Sequence, residues 1–397
     1  MPHYSYLIIG GGLAAVAAMA GIREVDRNGT IGVIGAEVDP PYDRPPLSKG
    51  LWKDKSLEGI WQPLDKTALT LHLGRTARSL DPGGKRVIDD RNTTYTYSKL
   101  LLATGCTPRR LPFGRDSIIY FRTLGDYRRL RSLTDHGSHF AVIGSGFIGS
   151  EIAAALAMNG KKVTLVFPDQ AIGSKMYPPE LAQYLNDYYQ AKGVTIMGET
   201  RIIGCQAKQQ RKILTMVDIR TNHQEVLEVD GVVAGIGVEP NVELARAAGI
   251  RLDHGIRVDP ALRTTGPDIY AAGDVATFFN PSLNAWLRVE HEDNARTMGG
   301  FAGVSMAGRS VAYNHLPFFY SDLFDLGYEA VGEIDSRLDI FADWKIPLRQ
   351  GVIYYLKERR VRGVLFWNIF GQVDAARTLI AASGPFGPAN LKGRLPS

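Results

Sequence analysis

Cysteine is almost missing from this chain: Cys106 and Cys205 are the only two in 397 residues. They form neither a disulfide framework nor a C-x-x-C pair, so local dithiol chemistry is excluded and a reducing compartment fits. Long hydrophobic runs are scarce too. One uncharged stretch, residues 4–22, reaches 19 positions. No Lys or Arg precedes it and three consecutive glycines interrupt it, unlike a signal peptide or a membrane span. Excess charge of one sign is small, +5 from 46 basic and 41 acidic residues. No basic stripe with interleaved aromatics supports nucleic-acid binding, and a mildly positive face would suit an acidic partner. No nucleophile constellation or metal-ligand spacing is present, and His136 and His139 read as loop histidines. The expectation is a soluble, cytoplasmic protein with no metal, no membrane span and no nucleic-acid partner.

Glycine, in contrast, is abundant: 43 residues, about 11% against a usual ~7%. Much of it sits in two places. Tyr6-Leu7-Ile8-Ile9 reads as a buried strand, Gly10-x-Gly12-x-x-Ala15 follows, and a small-residue helix should run from Leu13 to about Arg23. This is the dinucleotide fingerprint: Gly10 for the tight turn, Gly12 to leave room for a pyrophosphate, Ala15 for close helix–strand packing, and free N–H groups at the helix start for the phosphate. A second strand, Ile31–Ile34, precedes Glu37, which stands 22 residues past Ala15, where an acid accepts hydrogen bonds from ribose hydroxyls.

The pattern recurs. Phe140–Ile143 is a strand, Gly144-x-Gly146-x-x-Gly149 follows, a helix from Ile148 to about Asn159 is expected, and Lys162–Phe167 is the next strand. Two complete βαβ cradles most simply bind two dinucleotides, although a duplication with one inactive site fits as well. In the second cradle the terminal acid is displaced to Asp169. Its charge disfavours a 2′-phosphate and so favours NADH over NADPH, with Lys175 close enough to offset it. Ala103-Thr104-Gly105, Gly235-Ile236-Gly237 and Ala272-Gly273-Asp274 each follow an apolar strand, at the carboxyl edge where open α/β sheets hold ligands. The fold class expected is α/β, with two Rossmann-like domains.

Residues Pro41-Tyr42-Asp43-Arg44-Pro45-Pro46-Leu47-Ser48-Lys49 make the chain similar to the two-dinucleotide flavoprotein reductases that lack a redox disulfide, a superfamily that includes ferredoxin and rubredoxin reductases. Within it, Leu51-Trp52, Leu165–Asp169, Arg288-Val289-Glu290-His291, Ser321-Asp322-Leu323, Gly327–Gly332 and Trp367-Asn368-Ile369-Phe370 resemble the apoptosis-inducing factor family, and the likeness runs from about residue 4 to 381. A long insertion of that family's C-terminal region is missing: only about eight residues, 343–350, separate Ile340-Phe341-Ala342 from the strand 351–357.

The resemblance implies an FAD domain split over 4–119 and 242–312, an inserted NADH domain over 120–241, and a C-terminal α/β domain over 313–397 covering the flavin. It implies FAD contacts at Gly10, Gly12, Ala15, Glu37, Arg44, Lys49, Ala103, Thr104, Gly105, Asp274, Glu290, His291 and Tyr320, where Tyr320 replaces a frequent Trp. It implies NAD contacts at Gly144, Gly146, Phe147, Ile148, Gly149, Glu151, Asp169, Lys175, Gly235, Ile236 and Gly237. Lys49, Glu151 and His291 are the expected catalytic set, with Lys49 paired to Glu151 near the flavin. Glu151, expected on the first turn of its helix, also reads as a carboxylate that satisfies the helix dipole. The implied activity is hydride transfer from NADH to FAD, then electron delivery to a separate acceptor: an acidic iron–sulfur protein, a quinone or oxygen. The alternative is an NADH sensor whose long-lived charge-transfer complex promotes homodimerisation.

Overall fold

Ile8, Ile9, Val33, Ile34, Leu101 and Leu102 leave almost no surface to water. Strands apolar on both faces belong in the middle of a parallel sheet covered on both sides. A computed structural model, describing residues 1–396, shows that arrangement twice. The chain divides into two compact units. One comprises residues 1–43, 57–107 and 239–319; the other comprises 44–56, 108–238 and 320–396.

The first unit is built on a seven-stranded sheet. Its parallel part runs Leu69–Leu73, Ile31–Gly35, His3–Ile9, Thr94–Leu102, Ile269–Ala271, and the short strands Arg86–Asp89 and Ala77–Asp81 extend it antiparallel. Register aligns the carboxyl ends: Ile9 pairs with Ile34 and with Leu102, and Leu102 pairs with Ala271. Gly10, Ala103 and Ala272 therefore leave the sheet along one edge. The helix Leu13–Arg23 packs on the helix Glu292–Met306 through small residues. Any side chain at Gly299 would meet the Ala14 carbonyl at 2.3 Å, and any at Gly303 the Ala18 carbonyl at 2.1 Å. Backbones this close require glycine. The uncharged stretch 4–22 thus resolves into a strand and an eleven-residue helix. Among the described residues no helix is long and apolar enough to cross a membrane.

The second unit repeats the plan with a five-stranded parallel sheet, Val194–Met197, Lys162–Val166, His139–Ile143, Gly231–Ala234, Ile118–Tyr120. Ile143 pairs with Val166 and with Ala234, so Gly144, Phe167 and Gly235 share an edge. An antiparallel three-stranded sheet follows, Thr200–Lys208, Arg211–Asp218 and Gln224–Val229. The C-terminal segment forms a five-stranded antiparallel sheet ordered Phe318–Leu323, Leu326–Gly332, Arg360–Trp367, Gln350–Lys357, Asp339–Ile346. The stretch 343–350, read above as a connection, is mostly strand: Asp343 pairs with Val352 and Ile346 with Gln350. Only residues 347–349 turn the chain.

Candidate functional site

The first cradle begins where Ile9 leaves the sheet. Gly10 takes φ +118°, and a Cβ there would stand 2.0 Å from the Ala103 carbonyl. Gly12, the helix N-cap, has extended backbone and open space within 4 Å of a would-be Cβ. Ala15 is fully buried. A turn that only glycine adopts, an open second position facing uncapped N–H groups, and a small buried third residue fit a dinucleotide pyrophosphate. Around it, the Tyr42 hydroxyl donates to Glu37 Oε2 at 2.6 Å. Thr104 and Asn241 exchange two hydrogen bonds of 2.8 Å, fixing the Ala103–Gly105 turn. Arg288 donates to the Asp274 carbonyl at 3.1 Å and pairs with Glu290 at 2.7 Å. His291 is the N-cap of the helix Glu292–Met306, and its ring stacks on Phe319 with centroids 4.3 Å apart.

The second cradle has the same design with tighter packing. Gly144 takes φ +107°, and a Cβ on it would lie 2.4 Å from the Gly235 carbonyl. Gly146 caps the helix Phe147–Met158 and again faces open space. Gly149 has no room at all: a Cβ would meet the Gly144 carbonyl at 1.9 Å. Phe147 and Ile148 open the helix, and Gly235 is bonded through its N–H to the Ile143 carbonyl at 2.8 Å, ahead of Ile236 and Gly237. Asp169, beyond the next strand, pairs with the exposed Lys175 at 3.2 Å.

The helix starts one residue earlier than expected, at Phe147, which moves Glu151 out of the first turn. The helix-dipole account of this carboxylate fails for that reason. Glu151 is instead buried and receives three donors. Lys49 Nζ lies 2.7 Å from Oε2, Ser48 Oγ donates to Oε2 at 2.6 Å, and Ser321 Oγ donates to Oε1 at 2.6 Å. The Pro45–Ser48 turn delivers the first two side chains and the strand Phe318–Leu323 the third. Tyr177, Tyr189 and Tyr328 are buried, and burial above all pushes their phenols well above the ordinary range, with Tyr177 (for Tyr189 and Tyr328) and the Glu151 charge adding to it. Lys49 also stands 5.3 Å from the centroid of the half-exposed Tyr320 ring. Arg44 donates to the Arg122 carbonyl at 3.0 Å.

Reading the sequence missed both serines. A lone Glu between Ser150 and Ile152, in a helix otherwise apolar and small, signals a buried carboxylate that needs donors, but their identity depends on tertiary structure. Lys49 and Glu151 lie in the second unit and His291 in the first. Cys106 and Cys205, also in different units, form no disulfide and are buried.

Two sheets with a glycine cradle at each carboxyl edge define an α/β protein that holds two dinucleotides. The family model described as pyridine nucleotide-disulphide oxidoreductase matches residues 4–309, and that of the apoptosis-inducing factor C-terminal region matches residues 302–348 and 345–382. The chain belongs to the pyridine nucleotide-disulphide oxidoreductase family and is an oxidoreductase of the branch that resembles apoptosis-inducing factor and the ferredoxin reductases. It is 33% identical to apoptosis-inducing factor 1, mitochondrial, of Dictyostelium discoideum, over 95% of this chain and 78% of that protein. It is 33% identical to the ferredoxin–NAD(+) reductase component of the anthranilate 1,2-dioxygenase system of Burkholderia cepacia, over 97% and 96%. A crystal structure of the covalent putidaredoxin reductase–putidaredoxin complex superposes with a TM-score of 0.88 at 27% identity, covering 98% of this chain and 96% of that one.

Proposed function

We propose that this chain is an FAD-dependent NADH oxidoreductase that passes electrons to a ferredoxin-type iron–sulfur protein without a redox disulfide. The observation that carries this reading is the pair of cradles, each with an open second glycine at a helix start. Ferredoxin-reductase relatives that match almost the whole chain support the acceptor class. FAD is assigned to residues 4–119 with 242–312, NADH to 120–241, and 313–397 to the C-terminal domain.

Bound FAD supplies the two-electron chemistry and its division into single-electron steps. The chain's own residues bind and orient. Gly10, Gly12 and the first helix start hold one pyrophosphate, with Arg44 as a further charge. Glu37 takes the adenosine ribose, Ala103–Gly105 line the strand end, and Asp274 takes the ribityl chain. The start of the helix Glu292–Met306, capped by His291 beside Glu290, directs positive potential at charge that develops on reduction. Tyr320 offers an aromatic face. Gly144, Gly146, Phe147, Ile148, Gly149 and Gly235–Gly237 hold the nicotinamide dinucleotide. Lys49 is held in place by its 2.7 Å contact with Glu151. Asp169 favours NADH and pairs with the exposed Lys175 at 3.2 Å. Two buried cysteines without a disulfide fit a cytoplasmic setting.

Steady-state NADH oxidation with a [2Fe–2S] ferredoxin, a rubredoxin, a quinone and oxygen tests the reading. Rapid ferredoxin reduction is expected, and no turnover with any acceptor would overturn it. The match to the apoptosis-inducing factor C-terminal model favours a second reading, a slow NADH sensor that dimerises on reduction. In light scattering that reading expects a doubling of mass on adding NADH, and an unchanged mass would defeat it.

A further inference from the structure

We propose that Arg296 is a positioning residue: from the helix Glu292–Met306 it clamps both sides of the short stem from which the chain presents Arg44 and Lys49. This deepens the reading of those two residues given above and rests on it. Residues 41–43 run antiparallel to 60–62. The Asp43 N–H donates to the Ile60 carbonyl at 2.8 Å, the Gln62 N–H donates to the Pro41 carbonyl at 3.0 Å, and Tyr42 bridges to Trp61 between them. The rings of Tyr42 and Trp61 meet edge to face, with centroids 6.2 Å apart. From this stem the chain leaves the first unit at Arg44 and returns at Leu57, carrying Lys49 on the way.

A two-stranded ribbon is marginal by itself, and this one is only three residues long on each side. Arg296 supplies what the stem lacks. All three guanidinium nitrogens find acceptors, each on a different segment. Nε donates to Glu292 Oε1 at 2.8 Å, one turn back on the same helix. Nη1 donates to Gln62 Oε1 at 3.1 Å on the returning strand, and Nη2 donates to Asp43 Oδ1 on the outgoing strand. Gln62 in turn hydrogen-bonds Asp43, which closes the network. Both strands of the stem are thus tied to each other and to one helix.

Partly exposed ion pairs contribute little when isolated. The planar fork changes this, because its donors point in fixed directions and one ordered side chain meets three acceptors. A carboxyl oxygen accepts whether or not its group carries a proton, so the clamp rests on donor geometry alone. Lysine, a point donor, cannot reproduce it. The helix begins beside the His291 cap, so the element assigned above to charge on the flavin also fixes the departure of Arg44.

The test is hydrogen–deuterium exchange of the flavin-loaded protein, read by mass spectrometry, together with anaerobic stopped-flow reduction by NADH. Arg296→Met keeps an unbranched side chain and loses the fork. Amides of 41–49 and 60–62 should then exchange about tenfold faster, while the central strands His3–Ile9 and Thr94–Leu102 exchange as before. Flavin bleaching should slow about tenfold through misplacement of the reacting segment. The KM for NADH should stay unchanged, since the second cradle keeps every residue assigned to it. Arg296→Lys should recover part of both effects. Gln62→Leu should give a smaller change alone and no further change when added to Arg296→Met. These two variants serve if Arg296→Met folds poorly. Unchanged exchange at 41–49 and 60–62, or exchange that rises as much in the central strands, overturns the proposal. So does faster exchange with bleaching at the original rate. If NADH leaves the flavin of the unaltered protein oxidised, the reductase reading fails, and exchange together with flavin retention on dilution still decides the clamp.

Discussion

The two cradles share a backbone plan and differ in what their helices carry. The first helix, Leu13–Arg23, holds no ionisable side chain before Arg23 and meets its neighbour helix through Ala14, Ala18 and glycines. The second, Phe147–Met158, carries Glu151 into the interior against Lys49, Ser48 and Ser321. The third fingerprint position differs in step. Ala15 fits a methyl group, while Gly149 lies against the Gly144 carbonyl with no space for one. The same motif opens a helix without a buried charge in one unit and a helix with a buried Glu151–Lys49 pair in the other. A glycine fingerprint therefore identifies the ligand's phosphate, and the rest of the helix must be read for chemistry.

The largest effects should come from the turn glycines. Gly10→Ala and Gly144→Ala each place a Cβ within 2.0–2.4 Å of a carbonyl, at φ above +100°. Each should cost about 2–4 kcal/mol, by backbone strain plus displacement. Thermal unfolding and the visible spectrum check this: Gly10→Ala should purify without flavin, and Gly144→Ala should stay yellow but bind NADH poorly. Loss of flavin from both variants alike would dissolve the assignment of one ligand to each cradle.

At the third position the exchange should be asymmetric. Gly149→Ala is expected to destabilise by about 1–3 kcal/mol through overpacking. Ala15→Gly should cost only about 1 kcal/mol, the helix-interior cost of glycine. Denaturant midpoints measure both. At the second position, Gly12→Ala and Gly146→Ala meet no protein atom. Stability should change by less than about 0.5 kcal/mol, as for a substitution without contacts. Affinity for the respective dinucleotide should fall roughly tenfold or more, since the added methyl occupies the phosphate approach. Isothermal titration with NADH, and flavin retention on dilution, separate the two variants.

The smallest effect belongs to the ribose acid. Asp169→Asn removes the charge that pairs with Lys175. The ratio of kcat/KM for NADH over NADPH should drop about five- to tenfold, an exposed charge being worth about 1 kcal/mol. An unchanged ratio would move the cofactor preference elsewhere.

The central strands of both sheets and the cradles are legible in the sequence, because strand, glycine turn and helix are local, whereas Leu69–Leu73, Ile118–Tyr120 and Val194–Met197 are not. Residues 6–9, 10–15 and 140–149 carry hydrophobic period and turn chemistry within a dozen positions. The antiparallel sheet of Thr200–Lys208, Arg211–Asp218 and Gln224–Val229 escaped reading, since its strands are polar on one face and joined by short turns. Ser48 and Ser321 escaped for a different reason. They lie 103 and 170 residues from Glu151, and nothing local distinguishes them from any other serine. The Asp343–Gln350 stretch read as a connection, yet pairing with Val352, Gly351 and Gln350 carries the strand to Ile346. Local pattern thus placed the glycine cradles, and long-range hydrogen bonding placed Ser48 and Ser321 on Glu151.

An anaerobic titration of the purified chain with NADH, followed at the flavin absorbance, bears on the whole account. One flavin per chain, bleached completely by one equivalent of NADH and restored by an oxidised [2Fe–2S] ferredoxin, is the result expected. A chain that retains no flavin, or whose flavin stays oxidised with excess NADH bound, would contradict it.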